Sequence, residues 1–267
     1  MVRQKPMSPH RHDFLELVVI LGGEGVHRTE WFEHRVAAGD LFVINRSRSH
    51  GYAATEQLSL VNVLIREDVM VEAGRAFAGL AGFHALFTLE PVRWQQRTFD
   101  ARMQLEGESL ELIKRRIELL ETELQRAEPG GAALAKAWLF LILGELARLY
   151  GDAEAGSGQL EMRLSRVLSW MEAHYAEPAD LAGLAAMAHL SERSLNRHFK
   201  MALGQSPMRY LNQLRLGKAR ELLRDRRQTL SVTEVAVQCG FDDPNYFTRA
   251  FRRLHGVAPT VVRSQVS

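Results

Sequence analysis

The sequence predicts an α+β chain: an antiparallel β-barrel with an appended helical pair, then an all-helical domain of two helix-turn-helix units joined by a long helix. Three observations predict it. Short runs rich in valine, isoleucine and leucine, separated by turn residues, fill positions 14–66. Helical periodicity takes over from Glu108, and a segment of the last third repeats at an offset of 51 to 52 residues. At 267 residues the chain has about twice the usual domain length, so two domains are expected, at 1–150 and 160–267, with a linker at 151–159.

The clearest β run is Phe14-Leu15-Glu16-Leu17-Val18-Val19-Ile20-Leu21. Gly22-Gly23-Glu24-Gly25 and Gly39-Asp40 are turn signals, and further runs follow around Val26, Leu41 to Ile44, Gly51 to Ala54 and Leu58 to Ile65. So many short strands favour a sandwich or small barrel, because an open sheet leaves long unpaired edges.

From Glu108 to Arg126 apolar residues recur at Leu110, Ile113, Ile117, Leu120 and Leu124, spaced 3, 4, 3, 4. This stripe fits either packing against the barrel or a dimer seam, and spacing leaves both open. Pro129-Gly130-Gly131 breaks the chain, and Ala132 to Tyr150 follows as a second helix. Its middle, Trp138 to Leu143, is apolar on every side, so burial is expected. Gly151 to Gln159 lacks apolar periodicity and reads as a tether with a reach of about 15 to 18 Å.

Composition narrows the function classes. The chain is 46% apolar and 25% charged, with no apolar stretch near the roughly 20 residues a bilayer crossing requires. The N-terminus carries no secretion pattern, so a cytoplasmic protein without a membrane partner is expected. Cys239 is the single cysteine, which excludes an internal disulfide and a multi-thiolate zinc site and suggests a small buried residue. Charge is uneven: the first 159 residues hold 18 Lys/Arg against 22 Asp/Glu, the remaining 108 hold 16 against 10. A basic C-terminal half points to a polyanion partner there.

The repeat sets Leu184–Phe199 against Val235–Phe251. Ala185 aligns with Ala236 at 51, and Leu195, Arg197 and Phe199 align with Phe247, Arg249 and Phe251 at 52, the extra residue falling in the turn. Each copy reads as a helix-turn-helix, with Asp180 and Ser191 as N-cap candidates in the first and Ser231-Val232-Thr233-Glu234 as a capping box in the second. Between them Pro207 opens a helix to about Arg224, roughly 27 Å long. Such a spacer can set two recognition helices about 34 Å apart, one turn of double-stranded DNA. With Leu195 and Phe199 inward, Arg193, Asn196, Arg197 and Lys200 are left outside. With Phe247 and Phe251 inward, Asp243, Asn245, Thr248 and Arg249 are left outside. Arginine suits guanine O6/N7, asparagine suits adenine N6/N7, and Asp243 can accept from cytosine N4 or cap its helix. Arg209, Arg252 and Arg253 are placed for phosphates.

These residues carry a resemblance. Gln238-Cys239-Gly240-Phe241, Tyr246-Phe247-Thr248-Arg249-Ala250-Phe251-Arg252-Arg253, Gly256-Val257-Ala258-Pro259 and Arg263 resemble the signature of the AraC/XylS family of bacterial transcription regulators. So do Phe199-Lys200, Gly204-Gln205-Ser206-Pro207, Tyr210-Leu211, Arg215-Leu216 and Lys218-Ala219-Arg220 in the first unit. The N-terminal half resembles the family's cupin-like effector domain, and His12-Asp13-Phe14, Glu16, Asn62-Val63-Leu64 and Arg66 are similar to the rhamnose-operon activators. The resemblance implies a sequence-specific transcription activator of a carbohydrate-utilisation operon, a homodimer controlled by a small sugar effector through residues 1–150. It further implies base-reading roles for Arg193, Arg197, Asp243 and Asn245, and places Glu234 where such activators touch the sigma subunit of RNA polymerase.

His10-x-His12-x3-Glu16-x6-Gly23 has the spacing of the first cupin motif, and Gly39 with His50 that of the second, where Asn45 and Ser47 replace the usual proline and glycine. Period-2 alternation puts His10, His12 and Glu16 on one face. These residues and His50 suit an effector pocket best, ahead of a metal site or structural polar groups. No catalytic residue, metal or other cofactor is expected; the rival is a metal-dependent cupin enzyme fused to a DNA-binding module.

Overall fold

The apolar run near the N-terminus becomes a strand buried on both faces, which is why it reads as continuous rather than alternating. The computed structural model describes residues 2–3, 5–29, 33–45, 49–93, 103–126, 128–154, 160–227 and 229–265. Its sheet comprises β1 (Val2–Arg3), β2 (Met7–His10), β3 (Leu15–Thr29), β4 (Glu33–Ala37), β5 (Asp40–Ile44), β6 (His50–Ile65) and β7 (Met103–Gln104). Among the described residues pairing is antiparallel, in the order β1-β6-β3-β5-β7, with β2 also on β6 and β4 also on β3. Leu15, Leu17 and Val19 join the helices in one core. Val18 and Ile20 join Val36, Phe42, Ile44, Tyr52, Leu58 and Leu60 in another.

The sheet curls back on itself, giving the expected closure. Val18 pairs with Phe42, and His27 lies nine residues farther along β3, about 30 Å in an extended strand. Yet the Phe42 and His27 rings are 5.0 Å apart. Register shifts between Ile20 and Val26 supply the bend. Gly23 occupies it at φ +74°, where an added Cβ would stand 2.3 Å from the Gln57 carbonyl oxygen, so only glycine fits.

α1 (Glu67–Ala76), α2 (Ala81–Phe83), a π-helical turn at His84–Leu89, α3 (Glu90–Arg93), α4 (Gly107–Arg126) and α5 (Gly131–Glu154) follow. Ile113, Ile117 and Leu120 of α4 are buried in the same core as Ile142, Leu143 and Leu146 of α5 and Leu17 and Val19 of β3. The α4 stripe is therefore a packing face within the domain, except that its last member, Leu124, is 65% exposed. Expected burial all round α5 is corrected: Leu141 is 50% exposed. α4 and α2 cover two sides of α5 and leave Leu141 on another.

The C-terminal helices are α6 (Leu160–Ala173), α7 (Leu181–Met187), α8 (Glu192–Leu203), α9 (Pro207–Arg224), α10 (Val232–Gln238), α11 (Pro244–His255) and α12 (Pro259–Ser264). By packing, the chain divides into Met1–Ser165 and Arg166–Ser267, the division lying inside α6. α5 also runs four residues into the expected linker, whose remainder, 155–159, lies outside the described residues, as does Ser47. No helix among the described residues is long and apolar enough to cross a membrane.

The repeat extends through structure beyond its sequence match. α7 and α10 begin 51 residues apart, α8 and α11 begin 52 apart, and each second helix ends at a left-handed glycine, Gly204 at φ 71° and Gly256 at φ 76°. In the turns, Leu190 N–H donates to Ala185 O at 2.9 Å and Phe241 N–H to Ala236 O at 3.0 Å. The turn residue is left-handed in both copies, Gly240 at φ 80° and His189 at φ 50°.

Candidate nucleic-acid interface and buried histidine cluster

Each second helix of the repeat starts at a side-chain cap. Ser191 Oγ accepts from the Ser194 N–H at 3.2 Å, and Asp243 Oδ1 accepts from the Asn245 N–H at 2.8 Å. Leu195, Phe199, Phe247 and Phe251 are fully buried beneath them. That anchoring fixes the outer faces. Arg193, Arg197 and Lys200 are exposed on α8 with Asn196 half-buried beside them, and Asp243, Asn245, Thr248 and Arg249 are exposed on α11.

Some of these groups carry local duties. Of the two roles open to Asp243, capping is the one seen, through one carboxylate oxygen. Thr248 Oγ1 donates to the Pro244 carbonyl at 2.9 Å, which holds its rotamer. Arg197 Nη2 lies 3.3 Å from His198 Nε2. Glu234 closes the expected capping box, accepting from the Ser231 N–H at 2.7 Å, and that bond holds its carboxyl below the usual range.

α9 fastens the first unit. Tyr210 donates to Glu172 Oε1 at 3.0 Å, and Arg215 donates to the carbonyls of Tyr175 at 2.6 Å and Glu177 at 2.7 Å. Arg215 stood out in the sequence only as part of the resemblance; its role of tying down the segment after α6 has no local signature. Cys239 is buried, its thiol pushed up to about 11 by desolvation, as suits an inert core residue.

The curled sheet gathers the N-terminal polar residues. Glu16 on β3 lies 2.8 Å from His12 Nε2 and 3.2 Å from His50 Nε2, both through Oε2. The three side chains are 5%, 3% and 1% exposed in the order His12, Glu16, His50. His10, exposed, has its ring 4.5 Å from that of His50. His12 stacks on Phe14 at 4.2 Å, and its Nδ1 donates to the Phe14 carbonyl at 2.8 Å.

Two members of the cluster escaped the sequence reading. His27 and Tyr52 are cross-strand partners with rings 5.2 Å apart, and His27 lies 5.8 Å from His50. Burial, then the neighbouring His50 and His34, lowers His27 to about 3, so it is neutral at ordinary pH. Burial raises the Tyr52 hydroxyl, with Glu16 adding to the effect. Before the bend the even-numbered Glu16, Val18 and Ile20 share the inner face; past the register shifts the buried residues are Gly25 and His27. A fixed period of two therefore misses His27.

Comparison with known proteins fits both halves. Residues 2–143 match the model of the AraC-like ligand binding domain and residues 184–265 that of the helix-turn-helix domain. The HTH-type transcriptional activator RhaS of Escherichia fergusonii is 33% identical over 265 residues, covering 97% of this chain and 88% of that protein. RhaS of Salmonella arizonae is 34% identical over 263 residues with the same coverage. Among solved structures, the DNA-binding domain of AdpA in complex with a target DNA is 35% identical over 39% of this chain and 91% of that one, with a TM-score of 0.36.

Proposed function

The chain belongs to the AraC family of DNA-binding transcription activators with a ligand-binding domain, and from that premise we propose that a small sugar bound by residues 1–150 controls how α8 and α11 enter two successive major grooves. The observation that carries the DNA half of this reading is the repeat itself. Two caps, two buried phenylalanine or leucine pairs and two left-handed glycines recur at one offset, so two equivalent outer faces are presented. Arg193, Asn196, Arg197 and Lys200 serve the first groove, and Asn245, Thr248 and Arg249 the second, with Asp243 contributing its second carboxylate oxygen. Arg209, Arg252 and Arg253, all exposed, meet phosphates.

The sugar reading is supported by the RhaS relatives and by the polar cluster of buried His12, Glu16 and His50 with the exposed His10 beside it. The relatives are transcriptional activators, which favours regulation over catalysis. The protein acts in the cytoplasm as a homodimer, and Glu234 approaches the sigma subunit of the polymerase with the carboxylate oxygen its cap leaves open. Fluorescence anisotropy of the full chain on DNA upstream of neighbouring sugar-utilisation genes tests the effector claim. One sugar among a panel is expected to tighten binding or raise transcription from that DNA by at least about tenfold, a coupling of about 1.4 kcal/mol. Indifference of both readouts to every sugar would count against it.

A further inference from the structure

We propose that His12, Glu16 and His50 form a binding site for one divalent first-row transition-metal ion, of the zinc or iron(II) kind. The first support is distance. The donor atoms of all three lie within 4.8 Å of one another, with the Glu16 oxygen 2.8 Å from one imidazole nitrogen and 3.2 Å from the other. Ligand atoms about 2.0 to 2.2 Å from a zinc-like ion stand roughly 3 to 3.5 Å apart, so the cluster needs only a small adjustment to close on an ion. Two imidazoles and one carboxylate are also the donor types such ions select, whereas magnesium and calcium favour oxygen alone.

The second support is the proton on His12. Its Nδ1 lies 2.8 Å from the Phe14 carbonyl, an oxygen that can only accept, so Nδ1 carries hydrogen. In the neutral ring the Nε2 lone pair then points at a carboxylate oxygen 2.8 Å away. Either a proton or a metal ion between the two atoms satisfies that contact, and a metal ion can engage His50 through the same carboxylate oxygen. A backbone carbonyl holding one imidazole nitrogen while the other faces a carboxylate is the arrangement that orients a metal-ligating histidine.

The third support is burial. Glu16 is 2% exposed, and among the described residues its ion-pair contacts are to His12 and His50, with neither lysine nor arginine. A divalent ion held there would meet the carboxylate and both imidazoles away from competing solvent. The exposed His10 has its ring 4.5 Å from that of His50, beside the three donors. This site stands on donor geometry and burial and does not depend on the sugar reading.

The test uses the full chain without a histidine tag, stripped by chelator and titrated with cobalt(II) and then zinc(II) in the absence of any sugar. One cobalt ion per chain is expected, with visible d–d absorption that zinc abolishes by displacement. Glu16→Gln and His50→Gln should each weaken binding at least about 100-fold, while His189→Gln, in the other unit, leaves it unchanged. Circular dichroism checks that each variant is folded. Absence of a stoichiometric cobalt spectrum in the wild type overturns the proposal whatever the variants do, and so does binding that folded Glu16→Gln and His50→Gln leave intact. A sugar-insensitive protein that still binds one ion would overturn the effector reading alone.

Discussion

His189 and Gly240 hold the same place in the two turns, 51 residues apart, and both are left-handed. A side chain at such a backbone costs about 1 kcal/mol, which glycine avoids. His189→Gly should therefore raise stability by about 0.5 to 1 kcal/mol in urea denaturation. Gly240→Ala should do the reverse and more, by roughly 2 kcal/mol or above, because the new Cβ would also stand 2.7 Å from the Ala176 carbonyl oxygen. Equal behaviour of the two substitutions would deny that the turns share one conformation. The buried His84 gives a pH signature. Burial lowers its pKa from 6.5, against a bond to the Ala78 carbonyl at 3.1 Å that raises it. The unfolded chain thus binds a proton below about pH 6.5 that the native state refuses, and stability falls as pH drops through that range. His84→Gln, which can keep the bond to Ala78, should flatten the decline in melting temperature between about pH 6.5 and 5; an unchanged slope would assign the acid sensitivity elsewhere.

At the scale of elements, α4 separates what periodicity can tell from what it cannot. A 3, 4, 3, 4 spacing announces a helix with one apolar stripe but is silent on what the stripe meets. Here Ile113, Ile117 and Leu120 meet the α5 and sheet core, and the neighbouring face carries Leu112 and Leu119, 38% and 37% exposed and seven residues apart. Ile117→Lys should thus unfold the N-terminal unit, seen as loss of cooperative melting, by several kcal/mol. If the dimer forms on the exposed face, Leu112→Glu with Leu119→Glu should leave the melt intact and shift sedimentation to the monomer. A dimer that survives the pair places self-association on another face. The starts of α7, α8, α9 and α10 were legible nearly to the residue, since Asp180, Ser191, Pro207 and Ser231 announce them, whereas α6 and α12 were not read as helices. The β-rich half was legible in class and not in detail. His27 was hidden because its strand changes parity at a bend, a tertiary feature that alternation along a single strand cannot report.

At the scale of the molecule, the two halves differ in charge and in the kind of residue left exposed. The basic excess lies in the C-terminal half, where arginines and asparagines stand on helices held from beneath by buried leucine and phenylalanine. The acidic half folds around a buried polar cluster in which Glu16 meets His12 and His50 beside an apolar core. The proposed function requires α8 and α11 to engage DNA in tandem. Hydroxyl-radical footprinting of the full chain, with Arg197→Ala and Arg249→Ala alongside, tests it most directly. Two protected blocks about one helical turn apart on one face of the duplex are expected, each arginine variant weakening mainly its own block at a cost of about 1 to 3 kcal/mol. A single block, or two blocks fading equally in both variants, would contradict it.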